Sequence, residues 1–351
     1  MRICFVLPRF SRRPIGGYKI VFEYANRLQK KGYEIILLFL NENTFVEHRV
    51  PSRFNSVCSN IMTKIEPRWF PLDKKIKKVS GINNAYRKLA DIDVCVATGA
   101  ETVKICKELF PNSKKLYLIQ GFETWVMNEN AVFDTYNEDF KKIVVSSWLE
   151  KIVNEHSKDK ALLIKNPIDL KVYVSKTPIE KRKTHTIGLL YHSEENKGLK
   201  YSIKALEILK KKYPDLDVYM FGTSDPKEAI PGLAKYVKDA TQSQTIDIYN
   251  QVSVFMCSAI HEGFGLTGME AMACGAALAS TNYEGIHEYG KDGVNCLLSP
   301  IKDVEAMVEN VSRLFDDDAL RYTISEDGRK SLNTFHWDKA VETFASVIEN
   351  L

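Results

Sequence analysis

Glu262 and Glu270 stand on either side of seven residues that open with Gly263-Phe264-Gly265. A carboxylate accepts hydrogen bonds from paired hydroxyls, so one acid suits the diol of a ribose and the other suits the hydroxyls of a sugar. The glycines would let a diphosphate approach the backbone, and free amides at the start of a following helix bind phosphate. Together these groups describe a site for a nucleotide sugar. The same residues also read as a plain strand-to-helix turn, with Met269, Ala271, Met272 and Ala273 on a buried helix face and neither acid given a task.

The elements around them favour the first reading. "VSVFMCSA" (252–259) is a strand candidate that leaves Glu262 beyond its carboxyl end, and Glu270 falls in the first turns of the next helix. The chain as a whole alternates short apolar runs with amphipathic segments. In the first half "ICFVLP" (3–8) precedes a glycine loop and then "YKIVFEYANRLQKKG", where Val21, Tyr24, Ala25 and Leu28 repeat at helical spacing and Gly32 ends the helix. "YEIILLFL", "DVCVAT", "KLYLIQ", "KIVVSS" and "ALLIKNP" follow as further strands. The second half restarts with "HTIGLLY", the helix at 199–214, "LDVYMFG" and "GAALAST". Continuous apolar runs alternating with helices predict parallel sheets covered on both faces.

Between the halves, residues 164–186 carry Pro167, Pro178 and a charged run that break periodicity. The expected architecture is therefore α/β, with two doubly wound Rossmann-like domains facing a cleft. Such sheets bind ligands beyond the carboxyl ends of their strands.

Residues 262–275, "EGFGLTGMEAMACG", resemble the family 4 (group 1) retaining glycosyltransferases of GT-B fold, whose motif reads E-G-F-G-x-x-x-x-E-A-M-A-x-G-x-P. The likeness extends to the glycine loop and helix at 14–35, to "NPIDLKVY" (166–173), to "KGLKYSIKAL" (197–206) and to "DGVNCLLSP" (292–300). It implies an acceptor domain over residues 1–170, a nucleotide-sugar donor domain over 171–335, and a last helix, 336–351, that returns to the first domain. It also implies transfer of a hexose-type sugar from a nucleotide diphosphate to a glycan or lipid-linked acceptor with retention of configuration, with neither metal nor cofactor.

Carried over residue by residue, the resemblance makes Lys197 the cation for the leaving phosphate and Glu262 a catalytic residue. Glu270, Gly263, Phe264, Gly265, Leu266 and Thr267 become donor-binding, and Gly16 and Gly17 add amides from the opposite domain. Departures are visible too. Ala277 replaces the usual proline and Cys296 the usual glycine. Tyr191 or His192 stands where the family often has an arginine, and Gln120 where many members have a histidine, which leaves Gln120 or Glu123 to meet the reacting sugar.

Composition sets the outer limits. At 351 residues, with 44% hydrophobic and 27% charged, the chain reads as a soluble protein of two domains. Seven cysteines without a C-x-x-C pair point to a reducing cytoplasm, and no apolar run approaches the ~18 residues of a membrane span. Residues 1–170 hold 28 Lys and Arg against 19 Asp and Glu, the remainder 21 against 26. A basic first half suits peripheral contact with an anionic membrane at its inner face. "KKIKK" (74–78) lacks the aromatic interleaving of nucleic-acid grooves, so no nucleic acid is expected.

Other motifs read as structural. "DID" (91–93) enters a strand, "DDD" (316–318) ends a helix, and His261 and His287 lack metal-ligand spacing. Without G-x(4)-G-K-[ST] or G-x-G-x-x-G after the first strand, P-loop nucleotidases and dinucleotide oxidoreductases are disfavoured. A nucleotide-sugar epimerase of the same fold and a non-catalytic nucleotide-sugar-binding subunit stand as alternatives. A two-domain solute-binding protein ranks below both.

Overall fold

The computed structural model describes residues 1–41 and 52–351. These divide into two compact units, one of Met1–Lys165 with Asp338–Leu351 and one of Asn166–Trp337.

Among the described residues, the first unit has a seven-stranded sheet. Its strands are β1 (Arg2–Leu7), β2 (Glu34–Phe39), β3 (Lys77–Ser80), β4 (Val94–Ala97), β5 (Lys114–Ile119), β6 (Lys141–Val144) and β7 (Leu162–Leu163). They lie in the order β3-β2-β1-β4-β5-β6-β7, and every pairing is parallel. Helices α1 (Gly16–Lys30), α2 (Ser52–Ile65), α3 (Ile82–Lys88), α4 (Ala100–Leu109), α5 (Glu129–Tyr136) and α6 (Ser147–Glu155) connect them. As the spacing predicts, α1 buries Val21, Tyr24, Ala25 and Leu28, and Gly32 follows at a φ of 97°. β3 begins within the lysine run of residues 74–78. It is an edge strand that buries Val79 and Ser80 while Lys77 stays exposed, a pattern that apolar runs alone do not reveal.

The second unit has a six-stranded sheet among the described residues, again wholly parallel. Its strands are β8 (Thr186–Tyr191), β9 (Asp217–Gly222), β10 (Leu233–Lys238), β11 (Val254–Cys257), β12 (Ala277–Thr281) and β13 (Leu297–Ser299), ordered β10-β9-β8-β11-β12-β13. Helices α7 (Leu199–Lys212), α8 (Gln242–Gln251), α9 (Leu266–Ala273), α10 (Val304–Asp316) and α11 (Asp318–Ser331) cover it. Ile187, Leu189, Val218, Met220, Val254 and Met256 alternate out of the central strands into one core, against Leu206 and Leu209 of α7. Arg182, 7% exposed, donates to the carbonyls of Tyr249, Val252 and Cys274 and ties the entry of this unit to its helices.

Helix α12 (Trp337–Glu349) ends the chain. Its Phe344 is fully buried in the first unit, with ring centroids 4.5 Å from Tyr24 and 6.2 Å from Phe5. No helix of the described residues is long and apolar enough to cross a membrane.

Candidate active site

In the second unit two loops meet beyond the carboxyl end of β11. Gly198, at a φ of 65°, turns the chain into α7, and a Cβ there would lie 1.9 Å from the Ser258 carbonyl oxygen. Ser258 Oγ donates to the Gly198 carbonyl at 2.9 Å, and the Ile260 amide donates to the Asn196 carbonyl at 2.7 Å. This stitching holds the lysine before Gly198 against the residues that follow β11. As a result Lys197 Nζ lies 2.7 Å from Glu262 Oε1, with the two side chains 22% and 19% exposed. Burial acts against the Lys197 charge, and the Glu262 carboxylate outweighs it and holds the ammonium above its ordinary pKa.

The Gly263-Phe264-Gly265 turn is built from beneath. Gly265 precedes α9 with a φ of 87°, and a Cβ on it would sit 2.0 Å from the Tyr283 hydroxyl. That hydroxyl is 2.9 Å from the hydroxyl of Tyr289, which donates to the Gly265 carbonyl at 2.6 Å. Phe264 is 3% exposed and its ring centroid is 5.5 Å from that of Tyr289. Its ring therefore anchors the turn from the protein side. Gly265 brings no side-chain cap, so the first amides of α9, at Leu266 and Thr267, have neither an intrahelical partner nor a capping side chain. Such a helix start favours a phosphate.

Glu270 lies one turn further along α9, half-buried. Tyr173 donates to its Oε1 at 2.9 Å and Tyr249 to its Oε2 at 3.0 Å, while Gln242 Nε2 donates to the Tyr173 hydroxyl at 3.2 Å. Each carboxylate oxygen is thus oriented by its own phenol. Sequence reading missed these residues. Tyr173 closes the quoted "NPIDLKVY" stretch, which was a usable signal, whereas Tyr249 and Gln242 carry no pattern of their own.

Of the two residues at the position where an arginine is expected, Tyr191 is 3% exposed in the core, where its hydroxyl accepts from the Lys227 amide at 3.0 Å. At His192 burial lowers the pKa, and Nδ1 accepts from the Glu194 amide at 3.2 Å.

In the first unit a smaller cluster lies beyond β5. Gln120 Nε2 donates to the Gly17 carbonyl at 3.2 Å, and a Cβ at Gly17 would come within 3.4 Å of that nitrogen. Gly16 and Gly17 open α1. Glu123 accepts from the Ala100 amide at the start of α4. Burial raises its pKa and Glu101 adds to the rise, while the Ala100 amide opposes it, leaving the carboxyl at about 7. Trp125, 68% exposed, stands in the same loop.

The remaining motifs are structural. Asp93 Oδ2 accepts from the Arg2 amide at 2.7 Å, and His261 Nδ1 lies 2.7 Å from Glu284 Oε1. Asn295 ties Lys291, Tyr289 and Ser331 together in the "DGVNCLLSP" loop.

Residues 176–331 match the family described as glycosyl transferases group 1. That segment of the second unit is similar to a group 1 glycosyltransferase domain. Over 349 residues the chain is 21% identical to an uncharacterized glycosyltransferase of Haemophilus influenzae, covering 95% of this chain and 96% of that protein. Over 112 residues it is 32% identical to the capsular polysaccharide biosynthesis glycosyltransferase CapM of Staphylococcus aureus, 32% of this chain and 27% of that one. Among solved structures, sucrose-phosphate synthase of Thermosynechococcus elongatus is similar with a TM-score of 0.79 at 15% identity, over 99% of this chain and 98% of that one. HepE of Anabaena, in complex with UDP and glucose, gives 0.76 at 13% identity over the whole of both chains. These likenesses assign the GT-B fold to this chain.

Proposed function

We propose that the protein is a retaining hexosyltransferase that moves a sugar from a nucleotide diphosphate sugar to a carbohydrate or lipid-linked carbohydrate acceptor. The observation that carries this reading is the Lys197–Glu262 pair, 2.7 Å apart, in the unit whose α9 begins at an uncapped, left-handed Gly265. Charge develops on the departing phosphate as the glycosidic bond breaks. Lys197 and the first amides of α9 are preorganised donors for it, and one such donor is typically worth about 3–4 kcal/mol of barrier. Glu262 holds the ammonium in place, and Glu270, fixed by two phenols, accepts the ribose diol.

In the retaining course the leaving phosphate can take the acceptor proton, so a protein base is not obligatory. Glu123, with a pKa of about 7, is nonetheless suited to hold a proton on the acceptor side, next to Gln120 and the glycines of α1. The complexes of HepE with UDP-glucose and of TarM from Staphylococcus aureus with UDP support a uridine nucleotide as the first donor class to try. The basic first half of the sequence supports peripheral association with anionic lipid.

Release of nucleoside diphosphate from a panel of uridine, guanosine and thymidine diphosphate sugars tests the reading. Turnover by the wild type that collapses in Lys197→Met supports it. Tight donor binding without turnover on any acceptor would favour a binding subunit, and interconversion of the donor sugar without transfer would favour an epimerase.

A further inference from the structure

Helix α2 has its polarity reversed. The side turned into the first unit carries Ser59 and Thr63, 3% and 1% exposed, and Thr63 accepts from Asn41 Nδ2 at 2.9 Å. Beside them Asn60 accepts from Asn84 of α3 at 2.8 Å. The opposite side carries Val57, Ile61 and Ile65, 54%, 53% and 40% exposed, in line with Phe54 at 49%. These residues follow one another at single-turn spacing and form one continuous apolar stripe. A helix on a water-facing surface normally shows the inverse pattern.

Charge selects the partner of this stripe. Residues 52–65 contain no acid. Lys64, Arg68, Lys74 and Lys75 are exposed in the segment that continues from the helix, where the acids are Glu66, which is buried, and Asp73. That segment returns to the helix end, because Lys78 Nζ donates to the carbonyls of Lys64 and Glu66 at 2.7 and 2.6 Å. An apolar stripe with a predominantly basic flank matches the acyl boundary and headgroups of an anionic bilayer. A protein partner would need an apolar patch bordered by acids.

We propose that α2 is the membrane-docking element of this protein, lying in the plane of an anionic lipid surface with Val57, Ile61 and Ile65 inserted. The inference rests on the peripheral association proposed above and gives it a location. It leaves the chemistry of the second unit untouched.

Vesicle co-sedimentation of the full chain tests it, using phosphatidylcholine vesicles with and without phosphatidylglycerol. Wild type is expected to bind the anionic vesicles and to be released by salt. Replacing Val57, Ile61 and Ile65 together by Gln should lower the partition coefficient at least about tenfold, because buried apolar area sets the strength of such helices. The melting temperature and donor turnover should stay at wild-type values. Ile61→Trp keeps the stripe apolar and should show a blue-shifted emission on adding anionic vesicles. No binding by wild type would remove membrane association altogether. Binding by wild type and the triple variant alike, with an unshifted Ile61→Trp spectrum, would overturn the role of α2 alone. A wild-type dimer that the triple variant dissociates, without vesicle binding, would assign the stripe to a second copy of the chain and overturn the proposal.

Discussion

Lys197 Nζ and Glu262 Oε1 lie 2.7 Å apart although 65 positions separate them in sequence. The contact exists because Gly198 packs its backbone against the Ser258 carbonyl, leaving no room for a side chain. Removing the ammonium should cost catalysis more than folding. Lys197→Met is expected to lower kcat/KM for nucleoside diphosphate release by about 10²–10³, the range for loss of one preorganised charge donor. Stability should also fall, by up to about 3 kcal/mol, since the Glu262 carboxylate, 19% exposed, is left without its ammonium. A large fall in melting temperature with unaltered kinetics in the surviving folded fraction would refute this assignment.

Glu270 and its two phenols should behave as one unit. Glu270→Gln replaces two carboxylate acceptors by one carbonyl and one amide donor, so one tyrosine hydroxyl loses its acceptor. Nucleotide affinity is expected to fall by about 1.5–3 kcal/mol, the worth of a charge-assisted hydrogen bond. In urea unfolding, Glu270→Gln and Tyr249→Phe should be non-additive by about 0.5–3 kcal/mol, as contacting residues are. Additivity within error, or calorimetry showing unchanged affinity for the free nucleotide, would contradict the arrangement.

These two relationships mark what the sequence makes legible. The Glu262-to-Glu270 spacing and the Lys197-Gly198 pair are local patterns, and both land where a strand end meets a helix start. Tyr249, Tyr283 and Tyr289 are not legible in the same way. A lone tyrosine has no spacing to betray it, and each acts through a contact made by the fold, Tyr289 reaching Gly265 from 24 positions away. The burial of Tyr191 is not legible either, because it follows from its place in β8, whose end turns it into the core. β3 and α2 escaped periodicity because one is an edge strand of lysines and the other turns its polar side inward.

Gly265 should tolerate no side chain. Gly265→Ala places a Cβ at a φ of 87° and 2.0 Å from the Tyr283 hydroxyl. The left-handed backbone alone costs about 1–2 kcal/mol for a non-glycine residue, and displacement of the Tyr283–Tyr289 pair adds to it. Expected outcomes are a lower denaturation midpoint and loss of donor binding together, because the same turn sets the start of α9. Wild-type stability with intact donor affinity would show that the turn is not held as described.

Glu123 supplies the pH dependence. Its ordinary pKa is 4.5 and burial raises it to about 7 in the folded chain. The unfolded chain therefore ionises first as pH rises. Between these values folding keeps a proton that the unfolded state has already released, so stability falls as pH rises through this window. Glu123→Gln is neutral in both states and removes the effect. The stability of the variant relative to wild type, read by urea unfolding at intervals from pH 5 to 8, should increase in favour of the variant up to about pH 7 and level off above it. If Glu123 also takes the acceptor proton, wild-type kcat should rise with pH through about 7, following the same group, and Glu123→Gln should lose that limb. A flat stability difference across the range would show that the carboxyl titrates normally, and no catalytic role near neutrality would then be sustained for it.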